Sequence, residues 1–389
     1  MVDVVDKGKC CGCGNCAYVC SRNAIKFKTD IEGFNYPVVD KDLCVKCGRC
    51  DIFCPIQNFQ ETENLPICGY IVQHLDDDIR RESTSGGGFT AIASYIIECG
   101  GIVIGAGFNA NGNVVHQIVD NIQDLGRFRN SKYVQSDMVG IQHLIQLHLN
   151  SGRMVCFSGT PCQVDAIKKV FKNFEKLILV DVMCRGVASP AILEKYLHMQ
   201  EETNKSQIKG VWFRDKYYGY HYSVMKIDFA NGKKYHKGMK IDPYLRAFFE
   251  DNFYRRSCYS CKYRNTNRVS DITIWDAWKI KNSTSLKDDD MGATKILINT
   301  VKGKEIFERC KIHLRTESYT AEELYNKKDN FNITFNEKRR NAFFKDFELL
   351  KADELFEKYF PITIFMRAKG CLKTFLYQRK WLAPLFWKR

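Results

Sequence analysis

The sequence predicts three parts in series: a small cysteine-rich α+β module over residues 1–60, a larger α/β domain over 68–315, and a helical extension over 316–389 ending in a basic amphipathic tail. Three observations predict this. Eight cysteines fall in two runs of identical spacing, Cys10, Cys13, Cys16, Cys20 and Cys44, Cys47, Cys50, Cys54. From residue 68 onward, apolar helical stretches alternate with short β-rich runs. Residues 361–389 hold seven Lys or Arg and no acid.

The chain of 389 residues exceeds one compact core, and roughly 150 residues per domain gives two or three. A hydrophobic fraction of 45% is ordinary for a globular protein, which argues against disorder. Met1 to Lys9 reads MVDVVDKGK, with no apolar stretch and two aspartates, unlike a secretory signal. A cytoplasmic chain is therefore expected, where eighteen clustered cysteines point to metal binding or redox chemistry more than to disulfides. No apolar run reaches the length of about 18 residues that a membrane span requires. The formal charge is +14, and the tail carries about half of it. That asymmetry suggests a local docking surface, and no nucleic-acid partner is expected.

In the first part, C-x2-C-x2-C-x3-C at Cys10–Cys20 recurs 34 residues later and ends in Cys54-Pro55. This is the bacterial ferredoxin run, in which three close thiolates serve one [4Fe–4S] cube and the fourth serves the other. The first cluster then takes Cys10, Cys13, Cys16 and Cys54, and the second takes Cys44, Cys47, Cys50 and Cys20. Paired tetrahedral zinc sites are the alternative, and the exact repeat disfavours them. Cys11 falls outside the pattern. Ser21 stands where the second run has Pro55, which leaves an extra N–H near Cys20 that could raise that cluster's potential. The alternation in AIKFK and the turn residues Glu32-Gly33 before FNYPVV predict two short strands. The module is thus ferredoxin-like.

After the linker ETENLP (61–66), Ser85-Gly86-Gly87-Gly88 precedes a predicted helix, FTAIASYIIECG, and a predicted strand, GIVIGAGF. Such a turn suits either a phosphate seat or a plain helix cap. MVCFSGTPCQVDAIKKV reads as a strand, then a turn with Pro161 at the first helical position, then a helix; LILVDVMCRG reads as the next strand. A parallel unit follows, with Cys162 and Cys184 just beyond the carboxyl ends of neighbouring strands, where open sheets bind ligands. Cys258 and Cys261 in RRSCYSCKYR complete a candidate set of four. A zinc knuckle, a reactive dithiol or buried free thiols remain as alternatives.

The runs STSGGGFT (83–90), SKYVQS (131–136), FSGTPCQV (157–164), DVMCRG (181–186), FRDK (213–216), RRSCYSCKYR (255–264), SDITIWDAW (270–278) and ILINTVKG (296–303) resemble, in order, the coenzyme F420 hydrogenase/dehydrogenase beta-subunit family. The version resembled is the one preceded by a two-cluster ferredoxin domain. The resemblance implies a flavin-binding α/β domain holding FAD and a third [4Fe–4S] cluster on Cys162, Cys184, Cys258 and Cys261. It also offers Ser85, Gly86, Gly87, Gly88, Lys132, Ser158, Gly159 and Thr160 as flavin contacts, Lys132 being equally readable as a surface charge. Where the family commonly shows a glycine, a phenylalanine and another glycine after SDITI, this chain has Trp275, Ala277 and Lys279, so F420 does not follow as the carrier. F420, NAD(P)H and ferredoxin all stay open, as does a redox partner protein.

The leading expectation is an iron–sulfur flavoprotein oxidoreductase that passes electrons from a hydride carrier through FAD and the clusters. Family members also occur beside genes for surface polysaccharides, so a reductase of a sugar or lipid-linked intermediate is the second reading. A flavin-free electron-transfer subunit is the third. No His or acid stands out as a catalyst, and His221 and His236 read as strand-edge or surface residues. In the tail, Phe365, Leu372, Phe375, Leu376, Trp381, Leu385, Phe386 and Trp387 alternate with cations. That pattern suits an anionic membrane surface, or a terminal helix packed on its own domain.

Overall fold

The computed structural model describes residues 6–62, 65–278, 280, 283, 285–325 and 333–379. Lys279, Trp381, Leu385, Phe386 and Trp387 lie outside them.

The ferredoxin-like module begins with a cysteine loop that turns into a short helix α1 (Asn15–Tyr18). Strands β1 (Ile25–Thr29) and β2 (Asn35–Val39) follow as an antiparallel hairpin, and a second cysteine loop leads into α2 (Arg49–Ile52). AIKFK and FNYPVV therefore do form the expected strands. Beyond the linker come β3 (Cys68–His74), α3 (Asp77–Glu82), α4 (Gly88–Glu98), β4 (Ile102–Phe108) and β5 (Val114–Val119). Then follow α5 (Ile141–Asn150), β6 (Val155–Gly159), α6 (Pro161–Phe171), β7 (Leu177–Val182) and α7 (Pro190–Asn204). A separate antiparallel sheet, β8 (Ile208–Asp215), β9 (Val224–Phe229) and β10 (Lys234–Gly238), precedes α8 (Pro243–Phe249). Strands β11 (Ile272–Asp276) and β12 (Thr294–Ile298), helix α9 (Val301–Cys310), β13 (Leu314–Tyr319) and α10 (Ala321–Leu324) complete the body. Helices α11 (Glu337–Leu349), α12 (Ala352–Tyr359) and α13 (Ile364–Gln378) form the extension.

The large sheet is mixed, in the order β13-β3-β12-β11-β7-β6-β4-β5. Its centre, β4, β6, β7 and β11, is parallel. The central runs VCFSG and LILVDV are apolar and buried on both faces, as parallel strands must be. Ala91 and Ile92 of α4 and Phe307 of α9 pack one face, against Val103, Cys156, Ile178 and Ile272. Ile141 and Ile145 of α5 and Val164 and Ile167 of α6 pack the other, against Ile102, Val155, Phe157 and Leu179. Helix α6 starts as the sequence predicts: Thr160 caps it in a capping box with Gln163, and Pro161 occupies its first turn.

The module is embedded in the body. Phe34 and Tyr36 of its hairpin belong to the same core as Phe213, Tyr244, Phe253 and Phe343. Glu32 at the hairpin turn accepts two bonds from Arg340 of α11, at 2.6 and 2.5 Å, while Arg340 also reaches the Tyr254 carbonyl at 3.0 Å. Ser189, the cap of α7, donates to the Glu32 carbonyl at 2.5 Å. Arg340 is fully buried. Truncating Arg340→Met would leave the Glu32 carboxylate only Arg256, at 3.5 Å, and is expected to destabilise the protein by about 3 kcal/mol in urea unfolding, with Glu32→Gln/Arg340→Met recovering much of the loss.

Candidate redox site

The twelve cysteines read from the sequence gather in three places. Cys10, Cys13 and Cys16 sit on the first loop and α1, and burial together with Cys10 and Cys54 raises the Cys16 thiol far above its ordinary range. Cys54, from the second run, also faces Cys10. Cys20 has left its own run: it lines one cavity with Cys44, Cys47 and Cys50, walled by Ile25 and Val39 of the hairpin. Cys16 also packs in the cluster that holds Cys20, Cys44 and Cys50, so the two cysteine groups adjoin. The amide that reaches Cys20 Sγ is that of Ala24, at 3.3 Å.

Cys162, Cys184, Cys258 and Cys261 line a third cavity, of about 410 Å³ and partly open. Cys162 opens α6 after β6, and Cys184 follows β7, so both stand at the carboxyl edge of the parallel strands. Cys258 ends a short 3-10 turn, Arg256–Cys258, that brings the other pair across. Burial, then Cys261 and Cys162, push the Cys258 thiol up to about 12. Arg185, Arg255 and Arg264 line the same cavity. Four thiols ringed by guanidiniums fit an anionic thiolate-ligated cube, and ligation would release the protons these thiols hold. Among the described residues no group of three or more His, Cys, Asp or Glu is spaced to hold a single metal ion. A cube binds its four thiolates at separate irons and asks for wider spacing.

The spare cysteine is not idle. Cys11 is buried, lines the third cavity, and packs with Cys13, Cys162, Ile56 and Ala166.

The candidate flavin contacts divide into two groups. Ser85 to Gly88 lie at the start of α4, where Gly87 adopts a left-handed φ of 83°. A Cβ on Gly86 would stand 2.5 Å from the Val72 carbonyl oxygen, so only glycine lets this loop lie on the sheet. The Gly86 and Gly88 amides both point at the Thr294 hydroxyl, at 2.8 and 3.4 Å, and Ser85 Oγ is 2.8 Å from it. These groups are spent on β12, as the plain capping reading requires. Lys132 has its Nζ on the carbonyls of Arg127 and Arg129, at 2.9 and 2.8 Å, which leaves one of its three N–H groups. Burial lowers its pKa to about 7, so it is not a free surface charge.

Ser158, Gly159 and Thr160 lie nearer the thiols, with Thr160 Oγ1 3.3 Å from Cys162 Sγ. Their turn is locked by a one-way chain of bonds. The Thr160 amide donates to Gln163 Oε1 at 2.9 Å, and Gln163 Nε2 donates to Ser136 Oγ at 3.3 Å. Ser136 donates to His116 Nδ1 at 2.8 Å, and His116 Nε2 to the Ser158 carbonyl at 3.1 Å. Burial lowers the His116 pKa to about 4, and a neutral ring is what this relay needs.

Several residues at the site carried no signal in the sequence beyond membership of a recognisable run. Arg214 donates to Asp276 Oδ2 at 2.6 Å, Tyr220 donates to Oδ1 at 3.0 Å, and the Trp278 ring stacks on Tyr220 and lies 4.6 Å from the Arg214 guanidinium. Arg214 Nη2 is buried with no hydrogen-bond partner in this structure. Lys216 Nζ spans the carbonyls of Arg80, Ser85 and Met291 at 2.5–2.6 Å. Trp275 joins an apolar cluster with Ala277, Leu297 and Leu324. The indole over the arginine is therefore that of Trp278, while Trp275 packs into the apolar cluster. His221 is half-buried with Nε2 3.0 Å from Asp288, and His236 stacks on Tyr217 at 4.0 Å.

The family comparisons agree with the geometry. Residues 152–323 match the model that describes the carboxy-terminal part of the coenzyme F420 hydrogenase/dehydrogenase beta subunit, and residues 9–58 match a 4Fe–4S dicluster domain. No curated protein matches. A solved chain of the xenon-derivatised F420-reducing [NiFe] hydrogenase complex from Methanosarcina barkeri aligns at 18% identity and a TM-score of 0.46, covering 76% of this chain and 90% of that one. The two family matches make the chain an iron–sulfur protein related to the F420 hydrogenase/dehydrogenase beta subunit.

Lys132 gives a pH test. Its folded pKa lies below the unfolded one, so the unfolded chain binds the extra proton between about pH 7 and 10 and stability rises with pH across that window. Thermal unfolding of wild type and Lys132→Met from pH 6 to 10 is expected to show wild type gaining relative to the variant as pH increases.

Proposed function

We propose that the protein is an iron–sulfur flavoprotein oxidoreductase in which Cys162, Cys184, Cys258 and Cys261 hold a third [4Fe–4S] cube, beside two cubes in the module. The module's first set is Cys10, Cys13, Cys16 and Cys54, and its second is Cys44, Cys47, Cys50 and Cys20. The observation that carries this reading is the third cavity: four thiols from three separate segments converge at the carboxyl edge of the parallel strands, against the docked module.

FAD, when bound, supplies the exchange between a two-electron hydride carrier and the single electrons that cubes accept. The chain's own groups that suit it are Lys132, with one unspent N–H, and Arg214, with Nη2 unpaired. They belong to one region: Asn130 Nδ2 donates to the Arg214 carbonyl at 2.9 Å, and Ser131 Oγ lies 3.1 Å from Thr84 Oγ1. Run 131–136 continues from there to the third cavity, where Gln135 donates to the Cys11 carbonyl at 3.2 Å. One segment thus spans the distance from cationic region to thiols. Ser158 to Thr160 support the turn at the thiol end. The carrier stays F420-like, NAD(P)H or ferredoxin, and a redox partner protein would meet the second cluster, whose Cys47 is exposed.

The glycine loop favours a second reading, a flavin-free electron-transfer protein, because the Gly86 and Gly88 amides are already engaged. Anaerobic purification separates the two. About twelve irons per chain with releasable FAD is expected. About eight irons without flavin would defeat the proposal. Cys258→Ser/Cys261→Ser is expected to lower the iron from about twelve to about eight per chain while leaving the module's absorbance in place.

Helix α13 supports peripheral membrane contact. It docks through Tyr377, buried against Tyr222, and through Gly370 on Ile241. Ile364, Phe365, Leu372 and Phe375 stay exposed, on a segment without acids. An anionic leaflet answers both features. Cosedimentation with phosphatidylglycerol vesicles is expected for the full chain and lost on deleting 361–389; equal behaviour of the two forms would refute it. Among the described residues no helix is long and apolar enough to cross a membrane.

A further inference from the structure

We propose that Cys11, which belongs to none of the three ligand sets, is the sulfur link that carries electrons between the module's first cluster and the third cluster. This rests on the three-cube reading above. Cys11 packs in one buried cluster with Cys13 and Cys162, and it lines the third cavity beside Cys162. Cys13 is a ligand of the first set and Cys162 a ligand of the third. Three cysteines therefore meet at the seam between module and body, and one of them is uncommitted.

The seam is built to hold that sulfur in place. Gln142 Nε2 donates to the Cys13 carbonyl at 2.8 Å, Gln135 Nε2 to the Cys11 carbonyl at 3.2 Å, and Arg255 Nε to the Cys10 carbonyl at 2.6 Å. Gly12 has a left-handed φ of 71°, and a Cβ there would come within 2.8 Å of Gln135 Nε2 and 3.0 Å of the Arg255 guanidinium carbon. Glycine is required so that both side chains can reach the loop. Residues 10, 11 and 13 are each thereby held by a bond from the body.

The chemistry of the link is simple. One electron leaves the third cube and one enters the first; no bond is made or broken, and Cys11 keeps its proton. Its S–H is free to donate to a ligated thiolate, which raises the potential of that cube. Sulfur is also the most polarizable side-chain atom available to fill the gap, where an oxygen or methyl group would leave a wider and harder one.

The test uses the full chain, purified anaerobically, as wild type, Cys11→Ser, Cys11→Ala, and Cys68→Ser, a thiol of β3 outside the three sets. Iron content, midpoint potentials and the rate of electron redistribution among the cubes after flash reduction are read for each. The link predicts unchanged iron in both Cys11 variants, a severalfold slower redistribution, and a lower potential for the first or third cube, larger in Cys11→Ala than in Cys11→Ser. Cys68→Ser should match wild type. Loss of one cube's iron in the Cys11 variants would make Cys11 a ligand and overturn the link, as would unchanged rates and potentials. In wild type alone, the fully reduced protein should show spin coupling between the first and third cubes by EPR, and uncoupled spectra overturn it even where a variant does not fold. A wild-type chain with only about eight irons would instead fail the three-cube reading itself, and the link with it.

Discussion

A guanidinium with no access to water must be answered on every side, and Arg255 is answered by both halves of the molecule. It is fully buried. From the RRSCYSC run of the body it donates to the Cys10 carbonyl, to Gln135 Oε1 at 3.0 Å and to the Asn35 carbonyl at 2.9 Å, and it lies 4.1 Å from the centre of the Tyr36 ring. Hydrogen bonds to a charged donor contribute on the order of 1.5–3 kcal/mol each, and leaving such a charge unpaired in the interior costs more. The module and the body are therefore folded against one another as a condition of satisfying this residue. Because Arg255 also lines the third cavity, the constraint that docks the module also sets the distance between two thiol groups.

Around that cation the other contacts fall into place. Asn15, fully buried, donates to the Phe53 carbonyl within the module at 3.0 Å and to the Ala166 carbonyl of α6 at 2.7 Å. Tyr263 donates its one O–H to Asp165 of α6 at 2.6 Å, with the Pro55 carbonyl 3.1 Å from the same hydroxyl. The bond to Ala166 and the contacts of the Tyr263 hydroxyl join cysteine-bearing loops to a helix or turn that carries a third-set cysteine. A loop tethered at one end could bring its sulfurs to many places, whereas loops pinned from several sides can bring them to few. That restriction is what a chain of redox centres needs, since preorganised ligands do not have to be gathered when the cofactor arrives.

Much of this was legible beforehand, and for physical reasons. The cysteine spacing requires that three sulfurs of a tight loop serve one centre and the fourth another, so Cys20 beside Cys44 and Cys54 beside Cys10 could be read directly. The βαβ unit was legible because buried parallel strands are apolar throughout, and because Thr160 and Pro161 mark the start of α6. The convergence of Cys258 and Cys261 on Cys162 and Cys184 was open on spacing alone and came only with the family resemblance. The glycine loop shows the limit of motif reading. Ser85 to Gly88 look the same whether they cradle a phosphate or lie on a strand, and the partner that distinguishes the two, Thr294, is more than two hundred residues away. Trp275 and Trp278 show another limit, because which of two nearby aromatics meets Arg214 and which meets Lys295 depends on strand pairing.

The sequence by itself determined the two cysteine runs and the central strands, since these follow from local spacing and periodicity. Only the tertiary structure decided the roles of Arg255, Gln135 and Cys11. Cys11 looks superfluous in a row of five cysteines because its meaning is a contact with Cys162 in α6, and no local pattern encodes a contact across that separation.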